Sequence, residues 1–248
     1  LALASAVFLI AVYLMIIVVE FMAPYGLHTK NVDFIHSPPQ RVHFFNDGKF
    51  VGPFVYGRTM SLDMDTLHRL YTDKPGDVQP IRFFCRGDAY KFWGVFDSNL
   101  HMVCPAEGGQ MFLLGTDRLG RDVLSRILYG ARISLTIGLI GVALSLFFGI
   151  LMGGISGYFG GTTDLIIQRL IEFVQSVPSI PLWIGLAAAI PPDVPPLDVY
   201  FLITLILSVI GWTGLARVVR GRFLALRTED FVKAARLDGA STFRILFR

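Results

Sequence analysis

Apolar residues collect in four charge-free runs along this chain: Leu1–Val19, Ile133–Thr163, Phe173–Pro192 and Val199–Ala216. A helix needs about 20 predominantly apolar residues to cross a bilayer, and core helices of soluble domains are rarely so long or so uniform. The pattern predicts membrane helices over residues 1–23, 132–159, 164–190 and 199–218, with polar stretches at 24–114, 115–131 and 227–248. The first run has no basic flank and exceeds the usual apolar core of a secretory signal, which favours a transmembrane anchor. No Met opens the sequence, it begins inside an apolar run, and its final pattern reads as unfinished. The expectation is a piece of a longer protein.

Composition agrees with the pattern. Only 17% of the 248 residues are charged, against 53% hydrophobic, where soluble domains carry about a quarter charged. The net charge of +3 matters less than its location. After Ala216 come Arg217, Arg220, Arg222, Arg227, Lys233, Arg236, Arg244 and Arg248, against Glu229, Asp230 and Asp238. Short loops rich in Lys and Arg stay in the cytoplasm. A basic strip directly after an apolar helix is therefore a topology signal, and nucleic acid is not expected as a partner. Counting back places residues 24 to 130 outside the cell. Arg118, Arg121, Arg126 and Arg132 then stand on the outer side, which is tolerable because long segments translocate largely regardless of charge.

The external segment predicts a small, mostly β domain between the first two helices. Val42–Phe45 and Phe50–Val55 flank Asn46-Asp47-Gly48-Lys49, and Ile81–Phe84 and Tyr90–Phe96 flank Arg86-Gly87-Asp88. β-prone runs joined through Asp-Gly or Gly-Asp read as hairpins. On that reading Arg86-Gly87-Asp88 is a tight turn rather than an adhesion motif. Cys85 and Cys104 both fall here, and an oxidising compartment leaves two outcomes open, a disulfide or two separate thiols. Without a nearby His pair they do not suggest a metal site.

The predicted helices carry two patterned faces. Gly141, Ser145, Gly149, Gly153 and Gly157 recur at every fourth position, a smooth ridge for close packing on another helix. Gln168, Glu172, Gln175 and Ser179 share one face of the third segment. It either packs, with Arg169 pairing Glu172, or lines a polar pathway. Pro178 and Pro181 predict a kink over Ser176–Pro181, and Pro191–Pro196 predicts a short external connector.

The tail runs Arg227-Thr228-Glu229-Asp230-Phe231-Val232-Lys233-Ala234-Ala235-Arg236-Leu237-Asp238-Gly239-Ala240-Ser241. Thr228 can cap a short helix, with Glu229 and Asp230 in its first turn. Gly239 suits the left-handed residue that ends it, and a further turn would start from Ser241. The expected product is a helix–turn–helix docking element, with Ala234 and Ala235 letting a partner approach; the bland reading is a solvated linker.

This stretch resembles the EAA loop of ABC importer permeases, with Ala234, Ala235 and Gly239 in register and Ile245 in the expected span. Lys233 stands where that pattern has Glu. Residues 115–132 are similar to the GTD-x-x-GRD-x-x-SR-x-x-x-GAR run of C-type dipeptide/oligopeptide/nickel permeases. The matching positions are Gly115, Thr116, Asp117, Gly120, Arg121, Asp122, Ser125, Arg126, Gly130 and Arg132, extended by Ser134 and Leu135. The resemblance implies an all-α polytopic protein of the type I importer permease fold, truncated here, with the β domain as an insertion. It implies a multi-pass protein of a bacterial inner membrane whose partners are a second permease, two cytoplasmic ATPases and an external solute-binding protein. ATP and Mg²⁺ would sit on the ATPases, and this chain would bind no cofactor and catalyse nothing. It contains no G-x-x-x-x-G-K-[ST] phosphate loop. Peptide is the first substrate expectation. A secondary transporter or channel is the alternative function, and it would leave the tail motif unexplained.

Overall fold

The computed structural model describes residues 1–65, 68–241 and 244–245. It forms two compact units, Leu1–Leu135 and Thr136–Arg248.

In the first unit α1 (Ala2–Ile17) is wholly apolar apart from Ser5 and Tyr13, and its side chains are largely exposed. The expected single helix over 1–23 is interrupted. Val18 leaves the helical backbone at φ −108, ψ 28, and α2 (Val19–Met22) follows. The break turns Glu20 inward, where it is buried and paired with Arg132. Among the described residues, five antiparallel strands follow in two sheets. β1 (His43–Asn46), β2 (Lys49–Leu62) and β3 (Arg69–Pro80) pair in that order, while β4 (Arg82–Phe92) and β5 (Phe96–Cys104) form a separate hairpin. The β1–β2 turn sits at Asp47-Gly48, with φ of 48 and 76. Two successive left-handed residues match the right-handed twist of a hairpin, which is why Asp-Gly signals it.

The second hairpin corrects the sequence reading. Arg86-Gly87-Asp88 is no turn; it lies inside β4 at a register shift between Arg86 and Tyr90. The reversal is at Trp93-Gly94, whose φ values are 50 and 72. Gly87 is needed for space, because a Cβ there would lie 2.8 Å from the buried His101 ring. Asp88 instead accepts from the Gly26 N–H at 3.0 Å and the Thr29 hydroxyl at 2.5 Å, tying the strand to the segment after α2. Cys85 and Cys104 are joined by a disulfide, with Cα atoms 6.2 Å apart.

The long helix α3 (Val123–Phe159) starts well before residue 132, so much of the expected lead-in over 115–131 is already helical. Asp122 supplies the start. It accepts from the Ser125 N–H and hydroxyl, both at 2.7 Å, satisfying a donor the first turn leaves free.

In the second unit the remainder of α3 is followed by α4 (Gly161–Ser176), α5 (Ser179–Ala189), α6 (Pro196–Leu226) and α7 (Asp230–Leu237). The expected continuous helix over 164–190 is two helices, broken at Val177-Pro178, where both residues are extended. Pro178 has no N–H to continue the ladder and biases Val177 out of helical backbone. The helix expected over 199–218 is longer at both ends. Pro196 suits a first helical position, and the arginines after Ala216 are good helix formers that carry it on to Leu226. Among the described residues, Val123–Phe159 and Leu197–Leu226 are long and apolar enough to cross a membrane.

The small-residue ridge of α3 meets α6. A Cβ on Gly149 would fall 2.7 Å from Leu215, one on Gly153 2.4 Å from the Ala216 carbonyl oxygen, and one on Gly157 2.6 Å from Phe223. The Ser145 hydroxyl donates to the Ser208 carbonyl at 3.2 Å. Ile167 and Ile171 of α4 with Trp212 and Ala216 of α6 form the buried core, packed over by Phe148, Met152 and Ile155 of α3.

Candidate coupling site

At one end of the second unit α3 finishes, α4 begins and α6 emerges. Asp164, in the first turn of α4, accepts two hydrogen bonds from Arg220 of α6, Nε to Oδ1 and Nη2 to Oδ2, each 2.5 Å. The Ser156 hydroxyl of α3 donates to the same Oδ1 at 2.5 Å, and the Gln168 amide donates to Ser156 at 3.3 Å. Three helix ends thus share one carboxylate. Gly160 links α3 to α4 at φ 64, ψ −158, a conformation open essentially to glycine alone.

From this base α6 continues to Leu226 and the chain turns into α7. Thr228 does not cap α7; its hydroxyl donates to the Ala225 carbonyl at 2.8 Å. The N-cap is Glu229, whose carbonyl accepts from the N–H groups of Val232 and Lys233. At the far end Gly239 N–H donates to Arg236 O at 3.1 Å and Ala240 N–H to Ala235 O at 2.9 Å, with Gly239 at φ 75. That pair of bonds is the Schellman arrangement that stops a helix on a left-handed residue. Val232 is buried, while Phe231, Lys233, Ala234 and Leu237 are exposed. Lys233 Nζ pairs with Asp230 Oδ1 at 3.0 Å, so the residue that departs from the EAA pattern is held to α7's own first turn. The Arg236 guanidinium lies 5.1 Å above the Tyr158 ring, and Arg227 donates to the Tyr158 carbonyl at 3.5 Å. These two arginines connect α7 back to the end of α3. Ala235 and Ala240 are half-buried and Ser241 is exposed; Thr242, Phe243 and 246–248 lie outside the described residues.

The polar face of α4 does not act as one surface. Gln168 and Gln175 donate to Ser156 and to Thr213 of α6, the latter at 3.1 Å. Glu172 pairs with Arg169 at 2.7 Å on the exposed side. The side chain of Ser179 lies outside the described residues.

In the first unit, the segment from Gly115 to Arg132 is a clamp that holds residues 25–40 against the start of α3. Gly115 and Gly120 have φ of 77 and 71, and a Cβ on either would lie within 2.4 Å of the Ser37 or Asn31 carbonyl oxygen. Thr116 accepts from the Ser37 N–H at 2.8 Å and donates to the Phe34 carbonyl. Asp117 accepts from the N–H groups of Leu119 and Arg121 at 2.8 and 3.0 Å and pairs with the Arg121 guanidinium at 2.8 Å, with Arg126 at 3.6 Å. Burial alone would push its carboxyl up, but the Arg121 and Leu119 donors outweigh burial and hold it at about 2. Asp122 shifts the other way, raised by burial against the Ser125 and Leu124 bonds, and its Oδ1 has no partner among the described residues. The Ser125 hydroxyl accepts from the Tyr25 N–H at 3.1 Å. Gly130 has nothing among the described residues within 4 Å of its Cβ position, and Arg132 reaches Glu20.

Composition and motif reading missed the Ser156–Asp164–Arg220 cluster. Its signal was present, since Asp164 and Arg220 each lie just beyond a charge-free run, where charges seek a partner. It also missed His101, which is buried with its ring nitrogens 2.6 and 2.9 Å from the carbonyl oxygens of Ala23 and Asp88.

Comparison with known proteins bears on these features. The family described as "Binding-protein-dependent transport system inner membrane component" matches residues 145–248, from the ridge of α3 through α7. The chain is 40% identical over 132 residues to the dipeptide transport system permease protein DppC of Bacillus subtilis, covering 53% of this chain and 39% of that relative. It is 39% identical over 140 residues to the peptidoglycan transport system permease protein YejE of Agrobacterium fabrum, covering 56% of this chain and 35% of the relative. It is 31% identical over 211 residues to the DppC of Lactococcus lactis, covering 84% of this chain and 54% of the relative. The chain therefore spans between 35% and 54% of the length of these curated relatives. The matched span takes in the second part of α3 and all of α4, α5, α6 and α7, and over these helices the chain is similar to inner-membrane transport components.

Proposed function

We propose that this chain is a transmembrane permease subunit of an ATP-driven importer in a bacterial cytoplasmic membrane, moving peptides or a related small solute. The observation that carries the reading is α7 with its Schellman stop: a short helix with Phe231, Ala234 and Leu237 exposed, projecting past a membrane-length helix and connected through Arg236 and Arg227 to the end of α3. Such an element offers a surface to a partner and a rigid path into the bundle. Two ATPases binding ATP and Mg²⁺ grip α7 in this and the partnering permease, and an external binding protein delivers the solute. Closure of the ATPases moves α7, and the Asp164–Arg220 contact passes that movement to α4 and α6. The chain itself supplies no catalytic group.

The test uses the complete transporter in membranes. Cysteine at Ala234 or Ser241 should cross-link to the ATPase subunit, and deletion of residues 227–241 should abolish both ATPase association and solute uptake. Uptake that survives the deletion would assign the chain to a secondary transporter or channel instead.

A further inference from the structure

We propose that the tip of the β4–β5 hairpin, Trp93 to Phe96, rests in the outer leaflet of the bilayer, where its aromatic and aliphatic side chains take phospholipid as their partner. The proposal rests on the permease reading, in which α1 and α3 cross that bilayer.

The first support is where the lipid boundary falls in this unit. The charge-free run of α1 ends at Glu20, and that of α3 begins after Arg132. These two residues are the first charges beyond each run, and they pair with one another. A buried ion pair at the meeting point of two apolar runs marks the edge of the hydrocarbon, because charges inside it are costly.

The second support is that the hairpin tip is bonded to that edge, on its lipid side. The Trp93 indole N–H donates to the Ile17 carbonyl at 2.9 Å, and Ile17 precedes Glu20 by less than one helical turn. The Trp93 backbone N–H donates to Glu20 Oε1 at 3.3 Å. The Arg132 guanidinium sits 5.2 Å above the Trp93 ring and 5.7 Å above Tyr129. Trp and Tyr favour this depth because a ring can face acyl chains while its polar atom meets the wet layer.

The third support is exposure. Val95 is 70% and Phe96 69% exposed, Trp93 is 51%, and Phe84 nearby on β4 is 71% exposed with its ring 6.0 Å from Phe21 of α2. Apolar side chains gathered at one tip are poorly placed in water and mark an interaction surface. Continuity with α1, whose own apolar side chains are exposed, selects lipid as the occupant over a protein. The hairpin therefore fixes the depth of the β domain as well as its attachment.

The two native cysteines are disulfide-bonded, so a single added cysteine takes a fluorophore cleanly. Phe96→Cys, Lys74→Cys on exposed β3 and Phe8→Cys on α1 would be labelled in the protein reconstituted into phosphatidylethanolamine/phosphatidylglycerol nanodiscs. Headgroup-level nitroxide lipid should quench position 96 several-fold more strongly than position 74, and acyl-chain nitroxide should quench position 8. If position 96 behaves like position 74 while position 8 is quenched, the tip does not meet lipid and the proposal fails, with the membrane reading intact. If position 8 also escapes quenching, the membrane reading of α1 fails with it. Val95→Cys repeats the measurement should Phe96→Cys not fold.

Discussion

Asp164 and Arg220 face each other through two parallel hydrogen bonds, each 2.5 Å, so that the first turn of α4 and the last turns of α6 are fastened by one carboxylate–guanidinium pair. Bidentate pairing fixes orientation as well as distance. The Ser156 hydroxyl on the same oxygen brings the end of α3 into the contact. Removing either charge leaves the other half-buried and unpaired. Asp164→Asn or Arg220→Met should each cost about 1–3 kcal/mol, below the ~3–5 kcal/mol of a fully buried pair because of partial exposure. A double-mutant cycle on thermal unfolding in detergent would read the coupling, and strictly additive effects would refute it.

The contact of α3 with α6 predicts opposite signs at two glycines. Gly153→Ala drives a Cβ to within 2.4 Å of the Ala216 carbonyl oxygen, whereas Gly138 has nothing among the described residues within 4 Å. The first substitution should destabilise by about 1–3 kcal/mol. Gly138→Ala should stabilise by up to about 1 kcal/mol, since glycine is the poorer helix former. Melting temperatures of the two variants, compared side by side, check the prediction.

Loss of the Cys85–Cys104 bridge should loosen the second hairpin without dissolving the first. The chain-entropy account puts a loop of this length at about 3 kcal/mol, an upper figure where strand pairing already restrains the ends. Limited proteolysis of Cys85→Ser/Cys104→Ser should cut first within residues 82–104. Unchanged cleavage would show that β4 and β5 hold themselves.

Two neighbouring carboxylates carry opposite pH signatures. Asp117, held at about 2, lies below the unfolded value of about 3.9. Its contribution to stability is complete above about pH 4 and fades as pH falls toward its folded value. Asp122 is raised, so the stability it withholds at neutral pH returns as acid protonates it. Asp117→Asn should therefore lose stability at neutral pH and converge on the wild type near pH ~2. Asp122→Asn, which keeps an acceptor for the Ser125 N–H, should be neutral or stabilising, while Asp122→Ala should cost about 1 kcal/mol of cap energy. Thermal shifts across that pH range would separate the two.

At α7 the Schellman stop depends on Gly239 at φ 75. Gly239→Val, β-branched at a left-handed position, should fray the turn and, on the proposed permease function, cut solute-stimulated ATP hydrolysis by the assembled transporter, with solute binding unchanged. Equal hydrolysis by variant and parent would remove α7 from the coupling path.

Much of this architecture follows from one-dimensional pattern. The charge-free runs of α3 and α6, small residues at every fourth place and an Asp-Gly between β-prone runs each state a local preference that the folded chain keeps. They keep it because helix period, hairpin twist and steric size act over a few residues. The Gly239 stop is legible for the same reason.

Other features depended on partners distant in sequence. Arg86-Gly87-Asp88 carries turn-forming residues, but the His101 ring and the segment after α2 hold it inside β4, and the reversal moves to Trp93-Gly94. Thr228 is a good cap by type, yet its hydroxyl finds Ala225 first. Asp164 lies 56 residues from Arg220, and Glu20 lies 112 from Arg132. One-dimensional pattern foretold two long apolar helices, the Asp47-Gly48 reversal and the Gly239 stop. The tertiary structure alone decided which buried charge meets which, because such pairing is set by distances that close only when the helices have packed.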